Sequence, residues 1–130
     1  MKRNIISVVV GLVSAIVVFV IAETINSSLH PAPQTLDYND TIAVQAFYEN
    51  QPLTLWLLVL LGWIIGSALC GFLIKLISKN ENKKLPTIAG IILTLSAIAN
   101  FFSLPHPTWF IIISLFAFLP FVLIGYKISK

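Results

Sequence analysis

Four apolar stretches of about twenty residues each, long enough to cross a hydrocarbon core of about 30 Å as helices, alternate with short segments that hold nearly all the charge of this chain. The eight basic residues fall at three places: Lys2 and Arg3, a central loop with Lys75, Lys79, Lys83 and Lys84, and the C-terminal Lys127 and Lys130. Four of the five acids (Glu23, Asp37, Asp40, Glu49) lie between the first two basic clusters. Hydrocarbon penalises charge, and Lys and Arg are retained on the cytoplasmic side of a bilayer. The pattern predicts an all-α, multi-pass bundle of four transmembrane helices, with both termini cytoplasmic and its outer side free of Lys and Arg.

Composition narrows the class. The chain is 58% hydrophobic and 10% charged, whereas soluble domains carry roughly 25% charged residues. Its net charge of +3 is explained by orientation and contact with anionic headgroups, so no nucleic-acid partner is expected. The partners expected are the lipid bilayer itself and either another membrane protein or a second copy of the chain. Cys70 is the single cysteine and sits inside an apolar run, where it reads as a small packing residue. All 130 residues form one membrane domain.

The first span is expected over residues 5–27. Its basic start and Val20-Ile21-Ala22 resemble a signal peptide, but the apolar run exceeds the usual length of about 7–15 residues, so retention is expected. The outer loop, residues 28–52, opens on Pro31-Ala32-Pro33, which favours an extended turn. Asn39 or Asp40 then caps a short amphipathic helix over 41–49, with Ile42, Ala43, Ala46 and Phe47 as its apolar stripe. That stripe either docks on the outer ends of the spans or serves as a lid. Pro52 begins the second span, 53–77, and Asn80 and Asn82 mark the turn after it. Pro86 opens the third, 86–104. Thr108 caps the fourth, 108–126, and Pro120 frees the carbonyl of Phe116 and kinks that helix. Trp56 and Trp109 stand at the outer starts of spans two and four, where interfacial tryptophans belong.

Small residues four apart let helix backbones meet where lipid removes the hydrophobic drive. Gly62, Gly66 and Cys70 form one such stripe on the second span, Ser67 and Gly71 an adjacent pair, and Ser7, Gly11 and Ala15 a matching groove on the first. They serve either a contact between spans one and two or a homodimer.

The candidate polar site lies on the outer side. Glu23 is about 27 Å beyond Ile5 along a helix, at the outer edge of the hydrocarbon, with Asn26 and Ser27 at i+3 and i+4 sharing its face. An ionisable residue at that depth is a functional candidate by default; bonding to loop backbone or a helix end is the structural alternative. His30 and His106 end the two outward-running spans within similar segments, so both are expected at the same side as Glu23, Asp37 and Asp40. No metal-type spacing links them and no cofactor-binding motif occurs, so no metal and no cofactor are expected. Ser27, Ser28 and Ser103 lie in the same region, but spacing alone puts none beside a histidine.

Glu23-Thr24-Ile25-Asn26, the Leu29-to-Pro33 segment, Leu36-Asp37-Tyr38-Asn39-Asp40, Leu60-Leu61-Gly62-Trp63-Ile64-Ile65-Gly66-Ser67 and Pro105-His106-Pro107-Thr108-Trp109-Phe110 together resemble a family of small bacterial four-helix integral membrane proteins to which no activity is assigned. The resemblance implies a bacterial inner-membrane protein and singles out Glu23, Asn26, Asp37, Gly62, Gly66, His106 and Trp109. Ala22-Glu23-Thr24-Ile25 with Leu29 is similar, more locally, to the first helix of small multidrug resistance transporters, whose glutamate binds protons and cationic drugs. This chain differs in placing its glutamate near the helix end and in its long outer loop. The functional expectation is a non-enzymatic accessory or interaction subunit of an envelope assembly. The alternative is a small proton- or cation-coupled transporter, or a lipid-binding bundle, centred on Glu23.

Overall fold

The computed structural model describes residues 2–29, 35–37, 39–79, 83–103 and 107–129. Within them the chain is all-helical: α1 (Lys2–Leu29), α2 (Thr41–Glu49), α3 (Leu53–Ser78), α4 (Lys84–Ser103), α5 (Thr108–Leu115) and α6 (Phe118–Ile128). Four segments, with α5 and α6 counted as one, are long and apolar enough to cross a membrane. A helix meets that environment because its backbone hydrogen bonds close within the segment. α3 packs against α1 on one side and α6 on the other, while α4 packs chiefly on α6.

The helix ends follow local chemistry, with some departures from expectation. α3 begins after Pro52. It closes on Lys79, left-handed at φ 53°, whose N–H donates to the Lys75 carbonyl at 2.9 Å; Asn80 and Asn82 lie outside the described residues. α4 starts at Lys84, so Pro86 occupies its first turn, where no intrahelical donor is missed. Thr108 is not a cap. Pro107 precedes the helix without a side-chain cap, and its carbonyl accepts from Ile111 N–H. The break between α5 and α6 falls at Phe116 and Ala117, whose N–H groups turn to Ile113 and Ser114 three residues back. Pro120 has no N–H to offer the Phe116 carbonyl, and the ladder resumes only with Phe121 donating to Ala117.

Asp40 caps α2, its Oδ1 accepting from Ile42 and Ala43 N–H. The face that α2 buries is not the expected one. Val44 is 5% exposed whereas Ile42 is 80% exposed, and Tyr48 packs at a tilt against Trp56 with ring centroids 6.0 Å apart. Ala43, Ala46 and Phe47 instead border a shallow groove with Thr35 and Leu36. A stripe taken from Ile42, Ala43, Ala46 and Phe47 misses Val44 and Tyr48, which stand four apart on the face that docks.

Two kinds of packing divide the bundle. Towards α2, Trp63 gathers Phe101, Phe110 and Phe118 at centroid distances of 6.1, 5.1 and 5.2 Å. Towards the chain termini, glycines let backbones meet. A Cβ on Gly11 would lie 2.8 Å from the Cys70 carbonyl; nearer α2, one on Gly62 would lie 2.5 Å from the Ala22 Cβ. A Cβ on Gly71 would overlap the Val122 carbonyl, and one on Gly125 the Ala68 carbonyl. Arg3 adds a polar tie: its Nε donates to the Ile77 carbonyl at 2.8 Å, satisfying an acceptor at the end of α3.

Gly71→Ala and Gly125→Ala are each expected to destabilise the protein by about 1–3 kcal/mol, because the obstacle is backbone on a facing helix. Gly62→Ala meets the Ala22 Cβ, which is as fixed as backbone but overlaps less, and should cost less. Thermal melts of the three variants in one detergent check the order.

Candidate functional site

The described residues expected to form one outer polar site do not converge. Glu23 is exposed on α1, and the shallow depression beside it is lined entirely by α1: Val20, Thr24, Ser27 and Ser28. Asn26 does not share its face. It is 6% exposed and turned to α3, its Nδ2 donating to the Leu55 carbonyl at 3.1 Å. A helix advances 100° per residue, so a three-residue step is enough to carry one side chain into a seam and leave the other outside.

Asp37 and Asp40 hold the loop. Asp37 Oδ1 accepts from Asn39 N–H at 2.9 Å, its carbonyl accepts from Asp40 N–H, and Asp40 caps α2. These are turn and cap roles, common for short acids. His30 and His106 lie outside the described residues. Among the described residues, no three His, Cys, Asp or Glu side chains converge as a metal site would require.

A depression of about 670 Å³ opens instead beneath α2. Gln45, Tyr48, Glu49 and Gln51 border it from the α2 side, with Trp56 and Phe101 beneath and Thr108 and Trp109 opposite. Glu49 is the one carboxylate among the described lining residues, and its Oε1 accepts from Gln45 Nε2 at 2.9 Å. Aromatic faces, amides and one carboxylate suit binding. Trp56, expected as an interfacial anchor, is 5% exposed and packs on Phe110 at 5.4 Å, so it is a core ring. Trp109 remains partly exposed at the rim.

The small-residue positions Gly11, Gly62, Gly66, Ser67 and Gly71 are all buried within the chain. Gly66 lies against Phe19 and Ala15 of α1, and Ser67 Oγ donates to the Trp63 carbonyl at 2.7 Å. The α1–α3 and α3–α6 seams therefore fill the grooves that a homodimer would have used. Sequence reasoning missed the depression under α2. Its signal was present in the polar run Gln45, Glu49 and Gln51 beside Tyr48. It also read the lysines as orientation signals and general headgroup contacts, whereas four of them line a second depression at the opposite end.

Asn26→Leu keeps the volume but removes the bond between α1 and α3. A loss of about 0.5–1.5 kcal/mol is expected, and denaturation in mixed micelles measures it. Glu23→Gln should leave the same transition unmoved.

Comparison with family models, curated proteins and solved structures finds no match to this chain.

Proposed function

We propose that the chain is a multi-pass protein of a bacterial inner membrane, with cytoplasmic termini, acting as a non-enzymatic accessory subunit that docks against a membrane helix of another protein. The observation that carries this reading is the contrast on α1. One face is seated along α3, while Ile5, Val9, Val13, Ile16 and Val20 stand exposed at steps of three and four. Such a ridge is the form in which one helix meets another. Glu23 continues it by one further step, at the depth where a carboxylate in a membrane calls for a partner donor.

The transport alternative changes form. Glu23 faces away from the bundle, so enclosing it in a pathway requires a second copy of the chain.

Two measurements address these readings. In a Cys70→Ala background on intact cells, an impermeant maleimide should label Gln45→Cys directly and Lys83→Cys only after permeabilisation; the reverse pattern would invert the orientation. Val13→Phe with Ile16→Phe keeps the ridge apolar for lipid but alters its relief for a helix. The double variant should migrate as a single chain on native gels of solubilised membranes where the wild type migrates in a larger assembly. A wild type already running alone would sink the accessory reading. Loss of pH-dependent cation flux in Glu23→Gln, with assembly unchanged, would establish the transport reading in its place.

A further inference from the structure

The second depression, of about 770 Å³, lies where the end of α3 meets the end of α6. Lys75, Lys79, Lys83 and Lys127 line it, and no carboxylate does so among the described residues. Lys75 is held in place, its Nζ 5.1 Å from the centroid of the buried Tyr126 ring. Lys79, Lys83 and Lys127 are exposed. Cations clustered only to orient a membrane protein need neither a concave site nor a buried polar group. This cluster has both. Ser129 borders the depression, is 5% exposed, and its Oγ has no hydrogen-bond partner among the described residues. Buried hydroxyls normally have a partner, and this one sits beside four positive charges.

We propose that this depression binds the phosphate of an anionic phospholipid headgroup, with the lipid's acyl chains lying along Leu76 and Ile124. Lysine ammoniums serve as point charges for phosphate, and the Ser129 hydroxyl donates to a phosphate oxygen in the same site. Basic pockets between membrane helices suit such headgroups. The wall of the depression favours a lipid over a free anion: Leu76 and Ile124 are exposed apolar side chains beside the lysines, which inorganic phosphate would leave in contact with water. The proposal requires the spanning arrangement but not a protein partner.

The test reconstitutes the full chain in nanodiscs of phosphatidylcholine with or without phosphatidylglycerol and measures retained lipid by native mass spectrometry. Wild type should retain phosphatidylglycerol in preference to phosphatidylcholine, and excess inorganic phosphate should not displace it. Lys79→Gln and Lys83→Gln should each lower retention about fivefold. Ser129→Ala should lower it several-fold without moving the melting temperature, which keeps the test decisive if a lysine variant folds poorly. Lys2→Gln, at the same end but outside the depression, should change nothing. Equal retention of the two lipids, or an equal loss in Lys2→Gln, would overturn the proposal by reducing the effect to diffuse charge. Displacement by inorganic phosphate would overturn it in favour of a free-anion site. Failure to insert into nanodiscs would count against the spanning arrangement itself, and is read separately from lipid preference.

Discussion

Helices surrounded by lipid gain little from hiding apolar surface from one another, so a bundle of this kind depends on how closely its backbones can approach. In this chain that approach is concentrated on α3. Gly71 meets the α6 backbone at Val122, and Gly125 of α6 meets Ala68, so each helix supplies the gap that the other fills. On the other side Gly11 lies against the Cys70 carbonyl and Gly66 receives the Phe19 ring. The rest of the architecture hangs from these seams. They set which face of α1 is buried, and therefore that Asn26 points inward and Glu23 outward. They also bring the ends of α3 and α6 together, which places lysines from both around one depression.

The α2 end is organised differently. Rings on α3, α4, α5 and α6 fill the space around Trp63 and Trp56, and Tyr48 extends the cluster to α2. Polar groups in the spans cause little strain because most hydroxyls bond to their own helix. Ser67 donates to Trp63, Ser114 to Ile111 and Thr94 to Gly90. Ser129, beyond the last helix, is the exception among the buried, described hydroxyls, and its position beside the lysines gives that exception its interest.

Features governed by covalent geometry or local hydrogen bonding were legible without tertiary information. Pro120 lacks an N–H, and the helix breaks at Phe116 and Ala117 as that absence requires. Asn39 and Asp40 both precede an apolar-periodic segment, and Asp40 is the one that caps α2. Features that depend on which partner a side chain meets were not legible. Trp56 has the position of an interfacial anchor, yet Phe110 and Tyr48 enclose it. The apolar count on α2 pointed to Ile42, yet docking turns on Val44 and Tyr48. The candidate polar site meets the same limit: proximity along the chain does not establish convergence, and three of its described members, Asn26, Asp37 and Asp40, bond to backbone.

The sequence by itself determined the number and approximate bounds of the apolar helices, the separation of cations from acids, and the small-residue stripes available for packing. These follow from hydrocarbon thickness, the energy of charge in a low dielectric and the size of a missing Cβ. Tertiary structure decided which stripes meet, which ring anchors α2, and that lysines far apart in sequence share a depression with a buried hydroxyl. Those outcomes depend on helix rotation, and a turn of 100° per residue makes rotation sensitive to contacts that no single segment contains.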